Sequence, residues 1–123
     1  MQAFFNCTYP HPSPLERGEA YAQTNLVPNP SFEVFTNCPM SNSQIYYSPP
    51  WYTPTWGSPD YFNACAPVYN FSVPMSFSGN QPARTGVAYA GLFLYNYSIG
   101  ANYDFREYLQ VQLTDSLIQD RKY

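Results

Sequence analysis

"VAYAGLFLY", Val87–Tyr95, is the stretch on which the fold turns. Nearly every position is apolar or aromatic, with no 3.6-residue stripe and no polar alternation. A run this short and this uniformly apolar reads as a strand covered on both faces, the central strand of a sandwich. "REYLQVQL", Arg106–Leu113, behaves differently. It alternates, with Leu109, Val111 and Leu113 on one side and Tyr108, Gln110 and Gln112 on the other, as a strand does when one face is dry and one is wet. Upstream, residues Pro39 to Pro82 hold eight prolines, which break helices and leave short strands and long ordered loops. Leu26-Val27 and Phe32–Phe35 are further extended candidates, with Pro28 and Pro30 suiting a kinked strand edge. The expected fold is all-β, a β-sandwich.

The composition agrees and removes several functions. Charged residues make up 11% of the 123-residue chain and aromatics 20%, with 13 Tyr, 9 Phe and 2 Trp, against about 25% charged residues in ordinary soluble domains. The surface must therefore be neutral and polar. Five Lys+Arg and a net charge of -3 cannot form the basic stripe that neutralises nucleic-acid phosphates. No apolar run approaches the ~20 residues of a membrane-spanning helix, so no membrane insertion is expected. His11 is the sole histidine and lies in the tail, so no Ser-His-Asp or Cys-His set can be drawn from it. Asp60 and Glu107 can be paired on paper as glycosidase carboxylates, but nothing in their spacing requires it; a loop cap in the Ser58-Pro59-Asp60 turn and an ion pair with an arginine are the plainer roles.

Cys38 and Cys65 flank the proline-rich middle and read as disulfide partners in an oxidising compartment, with Cys7 spare; the alternative is three buried thiols. There is no CxxC and no Cys/His cluster for zinc. Residues 1–22 read as disordered or as the remnant of a leader behind a misassigned start. "AYA", Ala20–Ala22, has the small-x-small form that precedes a signal-peptidase cut before Gln23, although the apolar region of a leader is missing. The remaining unit is 23–123.

Taken together, "NLVPNPSFE", "GSPDYFNACA", "GNQPARTGVAYAGLFLY" and "DFREYLQVQL" resemble the N-terminal galactose-binding-like module of Bacteroidetes cell-surface and secreted proteins, related in fold to jelly-roll carbohydrate-binding modules. The resemblance covers about Asn25 to Leu117. It implies a jelly roll left incomplete, since such modules continue with further strands where this chain reaches Tyr123. It also implies an extracellular or cell-surface setting beside other domains of a larger parent. Its functional implication is non-catalytic binding of a glycan or cell-surface polysaccharide, or adhesion. The alternatives are a structural spacer without a ligand and a glycoside hydrolase fragment. In related modules the acid corresponding to Glu33 helps to hold a structural calcium; the plainer reading is a solvent-facing side chain or a partner of Arg84.

Sugars stack their C–H faces on exposed rings, while amides and hydroxyls bond the sugar hydroxyls. Trp56, between Thr55 and Gly57, is the best platform candidate, followed by Tyr46, Tyr47 and Tyr52. Trp51, after two prolines, reads as core. Arg84 first reads as part of a turn with Gly86, making an ion pair or capping carbonyls, and second as a sugar contact.

Overall fold

The computed structural model describes residues 2–5, 25–95, 105–120 and 123. Among these it is β-rich, with two small antiparallel sheets and no α-helix. Strand β1 (Gln2–Phe5), β2 (Asp60–Asn63) and β5 (Ala88–Phe93) form one sheet in the order β1-β5-β2. A small hairpin pairs β3 (Met75–Ser76) with β4 (Gly79–Asn80). Single 3-10 turns lie at Ile45–Tyr47 and Tyr69–Phe71. Gln2–Phe5, part of the segment that the sequence set apart, pairs with Phe93–Ala90; residues 6–24, with Cys7, His11 and the Ala20–Ala22 pattern, lie outside the described residues.

β5 is the central strand, as its composition required. Ala88 through Leu92 are all buried, and its edges are taken by β1 and β2. Because side chains alternate across a strand, the two faces carry separate cores. On one face Ala88, Ala90 and Tyr61 join Phe32, Ile45 and Trp51, with Val27, Tyr47, Leu109 and Val111 packed around them. On the other, Tyr89 meets Phe62 with ring centroids 4.9 Å apart, and Phe71 completes the cluster. Loops, rather than regular strands, cover both faces.

The expected strand at Phe32–Phe35 does not form, and a tight turn over Asn29–Phe32 leads into that segment. Phe32 N–H donates to Asn29 O, and both residues have left-handed backbone, φ 63° and 45°. Pro28 and Pro30 remove two ladder donors, and the Asn29 side chain supplies a substitute. Its Nδ2 donates to Val34 O and Pro49 O at 2.8 and 2.9 Å, its Oδ1 accepts from Val34 N–H, and its backbone oxygen accepts from Trp51 Nε1 at 2.8 Å.

Arg106–Leu113 keeps its alternation without becoming a regular strand. Leu109, Val111 and Leu113 are half-buried, and Tyr108, Gln110 and Gln112 are exposed. Its regular pairing is one antiparallel bridge, in which Tyr52 and Gln110 exchange N–H···O bonds of 3.0 and 2.9 Å. A single bridge satisfies too few backbone groups to propagate a ladder.

The Cys38–Cys65 disulfide is formed. It joins the loop after Phe35 to the end of β2, where Cys65 N–H also donates to Asn63 Oδ1. No helix among the described residues is long and apolar enough to cross a membrane.

Candidate functional site

Two buried carboxylates position the loops from which the exposed aromatics project. Glu107, 3% exposed, sits one residue before Tyr108 on the inward side of the alternation. Its Oε1 accepts from Ser58 N–H and Ser58 Oγ–H at 2.9 and 2.8 Å, and its Oε2 accepts from Phe93 N–H at 2.8 Å. One side chain thus ties the loop at 53–58 and the segment 105–113 to the end of β5. Gly57 lies so close that a Cβ there would come within 3.2 Å of Glu107 Cα. Asp60, also 3% exposed, accepts Ser43 N–H on Oδ1 at 2.8 Å. Burial, opposed by the Ser43 hydrogen bond and reinforced by the Glu107 charge, raises its carboxyl to about 6. Both acids therefore act on backbone groups; Asp60 caps the distant loop at Ser43 rather than its own Ser58-Pro59-Asp60 turn, and Glu107 is a long-range pin with no local sequence signal.

The Trp56 loop is ordered by short-range bonds. Thr53 Oγ1 donates to Thr55 O, Gly57 N–H donates to Thr55 Oγ1, and Pro54 and Pro59 stiffen the backbone on either side. Trp56 itself is fully exposed. A large ring held in water on a restrained loop can accept a stacking partner with little ordering cost. Trp51, by contrast, is 8% exposed and packs 5.0 Å from the Phe32 ring. The structure thus separates the two tryptophans into one core and one surface residue.

The other candidates are distributed. Tyr46 is exposed, and its ring meets half-buried Tyr47 edge-on at 4.6 Å. Tyr47 is also bound to the first core. Tyr52 is exposed and lies opposite Gln110. Arg84 is exposed in the turn leading to β5. Glu33 reaches the same turn from far along the chain: its Oε1 accepts from Val87 N–H and Ala88 N–H at 2.9 and 3.0 Å. Gly86 has a φ of +68°, and a methyl group there would collide with the Glu33 carboxylate. Glu33 and Arg84 stand at the start of β5, whereas Glu107 and the Trp56 loop stand at its end, at Phe93. Six residues of extended chain put roughly 20 Å between those ends. Glu33 thus has a backbone-capping role that its sequence position did not announce. Among the described residues, no group of three or more His, Cys, Asp and Glu is gathered in a way that could hold a metal ion.

Sequence reasoning missed a cavity of about 480 Å³ beside the Glu107 pin. It is lined by Phe32, Trp51, Leu92, Leu94, Arg106, Glu107, Tyr108 and Leu109. Its walls come from four separate stretches of chain, a convergence without a local pattern. Trp51 Nε1 is bonded to Asn29 O and the Glu107 carboxylate to its three donors, so the cavity wall is mainly hydrocarbon.

Comparison with known protein families, with curated proteins and with solved structures finds no match to this chain.

Proposed function

We propose that the chain is a non-catalytic extracellular module of a β-sandwich, galactose-binding-like kind, which binds a glycan or mediates adhesion through exposed aromatic side chains. The observation that carries this reading is Trp56, fully exposed on a loop restrained by Thr53, Thr55 and Glu107. A ring left in water on such a loop offers an apolar face on which a sugar can stack. Exposed Tyr52 and Tyr46 add rings of the kind that stack on sugars. Glu107 and Asp60, the pair that a hydrolase would need, hold backbone N–H groups instead. The disulfide is compatible with an oxidising extracellular compartment. A bacterial surface or secreted parent with further domains, and a calcium held in part by the second oxygen of Glu33, belong to the same reading.

The test is retention on immobilised glycans. The full chain should be retained by a subset of them, and Trp56→Ala should abolish retention while leaving the melting temperature nearly unchanged. No retention of the unaltered chain on any glycan would favour the spacer reading.

A further inference from the structure

The bridge between Tyr52 and Gln110 builds a second exposed surface that the Trp56 loop does not include. Directly opposed residues of an antiparallel pair project from the same side of the ribbon, so Tyr52 and Gln110 share a face. Tyr108 and Gln112, two positions either side of Gln110, share it too, at intervals of about 6.6–6.8 Å along the chain. Tyr52 and Tyr108 are 45% and 48% exposed, and both glutamines are exposed. The opposite side of the segment is fixed, because Leu109 and Val111 pack against the first core and Glu107 is pinned by three donors.

Resting on the glycan-binding reading above, we propose that Tyr52, Tyr108, Gln110 and Gln112 form a binding face for an extended, uncharged glycan of several sugar units. All four are uncharged residue types, and Glu107, the inward-facing acid just before Tyr108, is buried. Arg106 lies at the end of the row, so the middle of the face offers nothing to select a carboxylate or sulfate. The rings present apolar faces, while each glutamine amide offers donors and an acceptor for hydroxyl groups. Rings interleaved with amides suit the alternating C–H faces and hydroxyl rims of a sugar chain. From Tyr108 to Gln112 the row runs about 13 Å, longer than one sugar ring.

The experiment titrates the full chain with neutral hexose and pentose oligomers of six units (cello-, manno- and xylohexaose) and with polygalacturonate. Tyr52→Ala, Tyr108→Ala and Trp56→Ala are run beside Tyr69→Ala, an exposed tyrosine elsewhere. The expected result is saturable binding of a neutral oligomer, weakened about tenfold by Tyr52→Ala or Tyr108→Ala through loss of stacking, and unchanged by Tyr69→Ala. Near-UV dichroism of each variant shows that the fold is kept. Binding lost only with Trp56→Ala would overturn this face and leave the glycan-binding function standing. Binding of polygalacturonate alone would overturn the neutral ligand class. No binding to any of these ligands would overturn the face, and the spacer reading would follow if the immobilised glycans also failed.

Discussion

Replacing Glu107 should cost more stability than its position near the surface aromatics suggests. Glu107→Ala removes the acceptor for Ser58 N–H, Ser58 Oγ–H and Phe93 N–H, bonds of 2.8 to 2.9 Å around a side chain that is 3% exposed. The serine hydroxyl can turn to another partner, but the two backbone N–H groups cannot. Each donor left without an acceptor costs about 1–3 kcal/mol, so the loss from the two is roughly 2–6 kcal/mol. Glu107→Gln keeps the shape and one carbonyl oxygen for Ser58, and places an amide NH2 against Phe93 N–H. It should therefore cost about half as much. Urea unfolding followed by near-UV dichroism reads both values. Equal stability of the alanine variant and the unaltered protein would refute the reasoning, because it would mean that the carboxylate holds no buried donor.

The remaining predictions concern other contacts. Trp51→Ala should destabilise by about 3–5 kcal/mol, as loss of a buried tryptophan does, whereas Trp56→Ala should leave thermal unfolding nearly unchanged; calorimetry separates them. Removing both Cys38 and Cys65 by serine substitution should lower stability by about 3–4 kcal/mol, the chain-entropy value for a loop closed over a separation of 27 residues, and thiol titration of the unaltered folded chain should find neither cysteine reactive. Because Asp60 is raised from 3.8 to about 6, the folded state holds its proton more tightly than the unfolded state does. Its contribution is therefore present below pH 3.8 and lost as pH rises to about 6; in unfolding experiments across that window, Asp60→Asn should remove this downward slope. Gly86→Ala should destabilise, through its φ of +68° and its collision with the Glu33 carboxylate, and a Glu33→Ala background should relieve part of that loss.

The parts of this molecule written in local patterns were legible in the sequence. β5 could be read because burial on both faces demands an uninterrupted apolar run, and the inward and outward sets of Arg106–Leu113 could be read because alternation survives even where the ladder does not. The disulfide followed from two cysteines flanking a loop-rich middle. The Asn29 turn was not legible, since its partners Pro49 and Trp51 lie far along the chain and the neighbouring Phe-Glu-Val-Phe pattern imitates a strand. Glu33 and Glu107 were misleading for a related reason. Each satisfies backbone N–H groups on β5 or at its start, and a carboxylate that caps a distant strand looks in sequence like any surface acid. The Tyr52–Gln110 pairing, which sets the second exposed face, depends on a register that only the folded chain reveals.

The binding account rests most directly on Trp56, and tryptophan fluorescence during glycan titration tests it without a label. The chain has two tryptophans, one 8% exposed and one fully exposed. In the unaltered protein without glycan, acrylamide should quench the Trp56 component and spare Trp51. With a retained glycan at saturation, the emission should shift to the blue and the quenchable fraction should fall, and both changes should vanish in Trp56→Phe. A glycan that binds while Trp56 stays fully quenchable would contradict the central claim.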